Sequence, residues 1–233
     1  MRFDYQSHDW TIVARIMNEN SLRMSRTRHG KSDTGTSEKK RPLRLSGEAL
    51  QRRCAQNEER VQQFLFANRN GPKPRNAEQV LELLWTLADM TNDGLLTAGK
   101  LRDWPISAQQ LSPDGQPVAG PEAKVPPNEL PAALADFSAA VFRRWEELPA
   151  DPVPLAAWAE WELNGGKLHP FYDGCGRIAR SFAALLLLRG SWLLPLYDSP
   201  AEYFAHGNRG TDAFISYMRA RIAECAGWLR DEA

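Results

Sequence analysis

The stretch LHPFYDGCGRIAR, residues 168–180, has the composition of an anion-binding loop that leads into a helix. Its glycines, Gly174 and Gly176, leave room for backbone N–H groups to approach an anion closely. The apolar run that follows indicates a buried helix, whose N-terminus carries unpaired N–H groups and partial positive charge. Arg177 and Arg180 are three residues apart and share one helix face, where guanidinium groups can bind phosphate. The spacing therefore predicts a phosphate site.

Two further side chains of this stretch suit phosphoryl-transfer chemistry. Asp173 offers a carboxylate to Mg²⁺, which prefers carboxylate and phosphate oxygens together with water. His169 has the side chain whose ordinary pKa best fits proton removal near neutral pH. A base, a metal ligand and an anion cradle together predict an enzyme that acts on a phosphate group. No lysine follows the glycines in the pattern GxxxxGK(S/T), so the motif is not a P-loop.

The string HPFYDGCGRIAR resembles the signature of the Fic family, HxFx(D/E)GNGRxxR, at nearly every specified position. The similarity extends over residues 45–225 and is dense between 155 and 190. It implies a mainly α fold, a Fic-like helical bundle with a short β-hairpin flap. It also implies a protein adenylyltransferase (AMPylase) that moves AMP from ATP, its co-substrate, to a Ser, Thr or Tyr hydroxyl of a target protein with the help of Mg²⁺.

The resemblance also assigns roles to individual residues. By this resemblance His169 is the base that deprotonates the attacking hydroxyl, and Asp173 holds Mg²⁺. The glycine backbone forms an anion hole, and the two arginines bind the β- and γ-phosphates. The flap, at about residues 99–126, holds the target segment as an added strand. The nucleotide- and phosphate-binding residues implied in this way are Gly174, Cys175, Gly176, Arg177 and Arg180.

Cys175 departs from the signature, which has asparagine at this position. A thiol is a weak hydrogen-bond donor, so phosphate binding by the side chain would be weaker by about 1–2 kcal/mol. Three interpretations stay open: a working enzyme that tolerates cysteine, a nucleotide binder with little turnover, and a redox-sensitive or nucleophilic thiol. A second departure concerns the inhibitory sequence (S/T)xxxE(G/N) of many relatives. The nearest match here is TGTSEK, with Glu38 as the candidate acid.

Other functions compete with AMP transfer. One is transfer from another nucleotide donor, which would deliver UMP, phosphocholine or phosphate. Another is a regulatory module that binds nucleotide without turnover. The basic segment 23–44 would suit an arm for nucleic acid, but no aromatic residues interleave its charges, so we do not expect nucleic-acid binding. An inhibitor or antitoxin partner stays open.

Helical patterns with turn signals surround the motif. Residues 1–44 are interpreted as a short N-terminal helix and a basic flexible linker, and residues 45–233 as the Fic-like domain with the motif at 169–180. Ser46 and Asn128 are candidate helix caps. The segments KLRDWPI and QPVAGPEAKV, either side of SPDG, are predicted to form the hairpin. Helices are predicted at residues 46–68, 77–92, 128–148, 154–164 and 177–188, with two more after residue 199.

The overall composition is ordinary for a globular protein. Its 29 basic and 29 acidic residues give a formal net charge of zero, which provides no electrostatic case for membrane binding. The cysteines, Cys54, Cys175 and Cys225, have no CxxC spacing, which argues against a disulfide framework or a zinc site. The N-terminus lacks the basic flank and apolar run of a signal peptide. We therefore expect a cytoplasmic protein without membrane contact, although a secretion system could still translocate it into a host cell.

Overall fold

The structure is a computed structural model, and some sequence-based expectations fall outside its described part. These expectations are the cap at Ser46, most of the basic linker, the acid Glu38 and the SPDG turn, and they stay predictions. The structure describes residues 2, 3, 5, 9–25, 47–94, 100–105, 107–111, 117–165 and 167–231.

Helices make up most of the described chain, which confirms the mainly α prediction. They are α1 (Trp10–Ser25), α2 (Gly47–Ala67), α3 (Ala77–Thr91), α4 (Leu130–Arg144), α5 (Val153–Asn164), α6 (Cys175–Arg189), α7 (Pro200–Asn208) and α8 (Thr211–Asp231). Two short 3-10 turns, Pro127–Glu129 and Trp145–Glu147, flank α4.

Helix α6 runs through the hydrophobic core and packs along α5. Every residue from Ser181 to Leu188 is buried, so these two turns have no solvent-facing side. Gly176 and Arg177, in the first turn, are only partly covered. The apolar run of the sequence is therefore a core helix whose N-terminus reaches toward the surface. Within the described ranges, no helix is long and apolar enough to cross a bilayer.

Helix α1 belongs to this same core. It packs against α2, and its Val13 and Ile16 are buried in the central hydrophobic cluster. The chain ahead of α1 is also attached, because the Phe3 N–H donates to the Ser191 carbonyl oxygen at 2.6 Å. The N-terminal helix thus helps to build the body that carries the motif, and the proposed boundary between residues 44 and 45 stays a prediction.

The starts of two helices show where local sequence signals succeed and fail. The Asn76 side chain caps α3 by accepting from the N–H of Gln79 at 3.0 Å. The prediction that Asn128 caps α4 is wrong, because Asn128 lies inside the 3-10 turn Pro127–Glu129. Helix α4 follows that turn with Pro131 in its first turn, where the fixed φ of proline suits a helix start.

Two short strands lie between α3 and α4. They pair antiparallel, with one irregularity in register near the start of the first strand. Because the turn between them falls outside the described residues, the role of this pair as a flap stays a prediction. The strands are β1 (Ser107–Leu111) and β2 (Pro117–Glu122).

The segment just before β1 contacts the motif loop. The prediction that KLRDWPI, residues 100–106, forms the first strand of the hairpin is wrong for the described part of this segment. Leu101 instead forms an isolated antiparallel bridge with Phe171. The backbone N–H of Arg102 donates to the Pro170 carbonyl oxygen at 2.9 Å. The backbone groups of this segment are therefore used to hold the motif loop rather than to extend the sheet.

Candidate functional site

The motif occupies the loop between α5 and α6 and the first turns of α6. Helix α5 ends at Asn164 with Gly165 as its C-cap, and a short loop leads to Cys175, where α6 begins. Gly174 precedes the helix with a φ of +78°, a conformation that other residues rarely adopt. A Cβ at this position would lie 2.8 Å from Asn92 Oδ1. Both the backbone conformation and the space available therefore require glycine at position 174.

The Asp173 carboxylate is held at the helix start and remains partly exposed. Its Oδ1 accepts from the Gly174 N–H at 2.6 Å, and its Oδ2 lies 3.7 Å from Arg177 Nη2. The Asn92 side chain donates to the Asp173 carbonyl oxygen at 3.1 Å and so anchors the loop to the end of α3. Among the described residues, no three or more His, Cys, Asp or Glu side chains lie together so that they could hold a metal ion. A single carboxylate is still compatible with Mg²⁺, since phosphate oxygens and water can complete its coordination.

Arg177 and Arg180 line one cavity beside the start of α6, as their spacing predicts. Glu58 from α2 and Ser21 from α1 also line it, and the Ser21 hydroxyl donates to Glu58 Oε1. The Nε atom of Arg177 is buried and has no hydrogen-bond partner among the described residues, so an anion here would satisfy it. The cavity volume is about 60 Å³, which is room for a few water molecules.

Glu58 is an acidic residue of the site that sequence reasoning missed. Burial raises the pKa of its carboxyl, while the hydrogen bond from Ser21 and the charges of Arg177 and Arg180 act in the opposite direction. Glu38, the candidate inhibitory acid from the nearest partial motif match, lies outside the described residues. Glu58 is one of several glutamates on a charged helix, and nothing in its local sequence distinguishes it from the others.

His169 lies on the loop with a φ of +38°, which is uncommon for a residue other than glycine. Its Nδ1 is 3.4 Å from the Asn164 carbonyl oxygen; with the proton on Nδ1, the other ring nitrogen keeps its lone pair. Burial lowers the pKa of His169, and the charge of Arg102 lowers it further, whereas the Asn164 carbonyl and Asp173 raise it. The net lowering leaves the imidazole neutral at pH 7, which is the state that a general base requires.

Arg102 is the second residue that sequence reasoning missed. It is 2% exposed, and its Nε donates to the His169 carbonyl oxygen at 2.8 Å. The available signal was a charged side chain in LRDWPI, a segment otherwise rich in apolar residues. A buried arginine needs several acceptors, and only the folded chain reveals which carbonyl groups provide them.

The Cys175 side chain is buried within the loop. Its Sγ accepts from the Phe171 N–H and donates to the Phe171 carbonyl oxygen, both at 3.3 Å. Phe171 itself packs edge-on against Trp85 in the core, with ring centroids 5.4 Å apart. Burial raises the pKa of the Cys175 thiol to about 12. This disfavours the interpretation of a reactive thiol, because the thiolate is the nucleophile.

Comparison with solved structures finds the same arrangement of helices in several Fic-domain proteins. A Fic-domain-containing signaling protein from Bacteroides thetaiotaomicron aligns with a TM-score of 0.56 and 16% identity, over 92% of this chain and 87% of that one. Fic-1 from C. elegans aligns with a TM-score of 0.56 and 16% identity, over 99% of this chain and 68% of that one. A Fic family protein from Desulfovibrio desulfuricans aligns with a TM-score of 0.53 and 15% identity, over 97% and 76%.

Comparison of the sequence alone is less informative. No protein-family model matches the chain, and no curated protein matches it either. The structural similarity therefore carries the assignment, and at these identities it concerns the fold. The chain has the helical fold of Fic-domain proteins.

Proposed function

We propose that this protein is a Mg²⁺-dependent adenylyltransferase that transfers AMP from ATP to a Ser, Thr or Tyr hydroxyl of a target protein. The observation that carries the proposal is the arrangement at the start of α6. A neutral His169 and the Asp173 carboxylate lie on the loop, and Arg177 and Arg180 line one cavity beside it. The Fic fold of the chain supports the same class of reaction.

The proposed reaction begins with the His169 imidazole, which accepts the proton of the target hydroxyl. The hydroxyl oxygen forms a bond to the α-phosphorus of ATP. The bond from that phosphorus to the α–β bridging oxygen breaks, and pyrophosphate leaves with the electron pair. The lowered pKa of His169 keeps the base unprotonated at neutral pH. General-base assistance of this kind accelerates a reaction by about 10²- to 10⁴-fold.

The remaining residues of the site would bind the charged nucleotide. Arg177 and Arg180, with the N–H groups at the start of α6, would neutralise the phosphates. Asp173 would hold Mg²⁺, since its carboxylate is 44% exposed. When bound, Mg²⁺ supplies further charge neutralisation at the phosphates. The target protein would bind to the β1–β2 pair as an added strand.

The experiment that tests this proposal measures transfer of label from ATP, labelled at the α-phosphate, to the proteins of a cell lysate. The wild type is compared with His169→Ala and Arg177→Ala, with and without Mg²⁺. Arg219→Ala is the matched control, because Arg219 lies on α8 and pairs with Asp151. We expect the two site variants to lose about 100-fold or more of the labelling, and the control to retain it. Equal labelling by all four proteins would exclude the proposed mechanism.

A second candidate is a regulatory protein that binds nucleotide without turnover. The observation that favours it is the Cys175 side chain, which stands where the signature has asparagine and whose Sγ is hydrogen-bonded to the Phe171 backbone within the loop. This candidate predicts that nucleotide with Mg²⁺ raises the melting temperature while no label is transferred, even by Cys175→Asn. Gain of transfer in Cys175→Asn would instead identify an attenuated enzyme. A thermal-shift panel with ATP, UTP and CDP-choline separates the possible donors in either case.

A further inference from the structure

We infer that Arg102 is a positioning residue that fixes the backbone of His169 and couples the segment before β1 to the motif loop. The inference rests on the proposed function, in which His169 is the base. Arg102 lies outside the signature motif and contacts the backbone of the loop rather than its phosphate-binding side chains.

The Arg102 guanidinium binds both peptide groups that flank His169. Its Nε donates to the His169 carbonyl oxygen at 2.8 Å, and its Nη2 donates to the Leu168 carbonyl oxygen at 3.1 Å. In an extended strand, successive carbonyl groups point in opposite directions. Two successive carbonyl groups can therefore share one guanidinium only when the chain turns between them. The two hydrogen bonds together restrain φ and ψ of His169.

This restraint is needed because the backbone of His169 is strained. A φ of +38° is unfavourable for a residue with a Cβ, and such conformations persist only where surrounding contacts determine them. The planar guanidinium suits this task, since its donors point in fixed directions. Lysine has a single rotating ammonium group and could not hold both peptide groups in the same geometry.

The other donors of Arg102 bind the chain on either side of the β1–β2 pair. Nη1 donates to the Trp104 carbonyl oxygen at 3.2 Å, and Nη2 also donates to the Val125 carbonyl oxygen. Trp104 precedes β1 and Val125 follows β2. One buried side chain thus connects both ends of the strand pair to the loop that carries His169. A target bound along β1 and β2 would be held in a fixed relation to the base.

The charge of Arg102 acts on His169 as well. In the described part of the chain, every hydrogen-bond acceptor of its guanidinium is a backbone carbonyl group, and no carboxylate forms an ion pair with it. The positive charge disfavours protonation of His169, while Asp173 favours it. Loss of the Arg102 charge should therefore raise the pKa of His169 and move the acid limb of activity to higher pH.

The test compares Arg102→Lys, which keeps the charge but loses the forked donors, with Arg102→Met, which loses both. Arg189→Lys is the matched control, because Arg189 also donates to a carbonyl oxygen, that of Pro72 at 3.0 Å, from the far end of α6. Two readouts are used. NMR follows the backbone shifts and imidazole titration of His169, assigned among the four histidines with His169→Gln. Kinetics separates kcat from the KM for nucleotide.

We expect Arg102→Lys to shift the His169 backbone resonances and to lower kcat about 10- to 100-fold with little change in KM. Arg102→Met should also raise the pKa of His169. The control Arg189→Lys should leave the His169 resonances, the His169 pKa and kcat unchanged. A lowered melting temperature with unchanged His169 signals and kcat would overturn the inference and leave Arg102 as a core residue only. If Arg102→Met does not fold, Arg102→Lys still decides the point. If the wild type transfers nothing, the proposed function fails, whereas the NMR readout still tests the restraint on His169.

Discussion

Replacement of Glu160 by glutamine should flatten the pH dependence of stability between about pH 4.5 and pH 7. Glu160 lies on α5 and is fully buried, and its Oε2 accepts from the Tyr197 hydroxyl at 2.6 Å. Burial raises the pKa of this carboxyl to about 7, although Tyr197 and the charge of Arg180 oppose the effect. Glutamine has nearly the same size and keeps an acceptor oxygen for Tyr197, so the substitution removes mainly the ionisation.

The magnitude follows from the two pKa values of Glu160. A pKa of about 7 in the folded chain, against 4.5 in the unfolded chain, means that the folded chain binds more protons between these values. Stability therefore falls as the pH rises through this window and stays lower above it. Each unit of difference between the two pKa values corresponds to about 1.4 kcal/mol, so the total loss in the free energy of unfolding is about 3 kcal/mol. For a chain of this size that corresponds to roughly 6–12 °C in Tm.

The assay is unfolding by heat and by urea at pH 5 and pH 8 for the wild type, Glu160→Gln and the control Glu82→Gln. Glu82 is exposed on α3, so its carboxylate stays hydrated in the folded chain. From pH 5 to pH 8 the wild type and the control should lose about 2.5 kcal/mol more stability than Glu160→Gln does, because part of the loss has already occurred at pH 5. The other titrating groups are common to all three proteins and cancel in the comparison. Identical pH profiles for the wild type and Glu160→Gln would refute the reasoning.

Two further predictions concern the start of α6. Gly174→Ala should destabilise the protein by about 1–3 kcal/mol in urea unfolding, because φ is +78° and the new Cβ would meet Asn92 Oδ1. Gly210→Ala is the control, because Gly210 also has a positive φ but an added Cβ there would have no atom within 4 Å. Equal losses of stability in the two variants would show that the contact with Asn92 does not contribute. In the native protein, a thiol reagent should modify Cys54 much faster than Cys175, because Cys54 is partly exposed and Cys175 is buried. Comparable rates would contradict the burial of Cys175.

The grouping of glycines and arginines at the start of α6 could be predicted from the sequence because its signals are local, and phosphate binding by this group stays a prediction. Gly174, Arg177 and Arg180 lie within one turn and a half of a helix start, and their spacing alone places them together. The apolar run after them also identified α6 as a core helix, since no polar residue interrupts it between Phe182 and Leu188.

The support of His169 could not be predicted, because it comes from distant parts of the chain. Arg102 is 67 residues away from His169 in sequence. Because its segment, KLRDWPI, is predicted to be a hairpin strand, the sequence does not show that the Arg102 side chain is buried. Glu58 lines the arginine cavity from α2 because α2 packs against both α1 and α6, an arrangement that the local sequence does not reveal. At Asn128, the neighbouring prolines outweighed the capping preference of the side chain and gave a 3-10 turn instead.

The burial of α6 has a consequence for how the site can change over time. Amide hydrogens of a helix whose residues from Ser181 to Leu188 are all buried should exchange with solvent only when the whole molecule unfolds. The arginines at the start of this helix are therefore attached to the slowest-opening part of the protein. Any gating of the site must come from the elements that cover it, α1, α2 and the segment before β1, whose local opening does not require α6 to unfold.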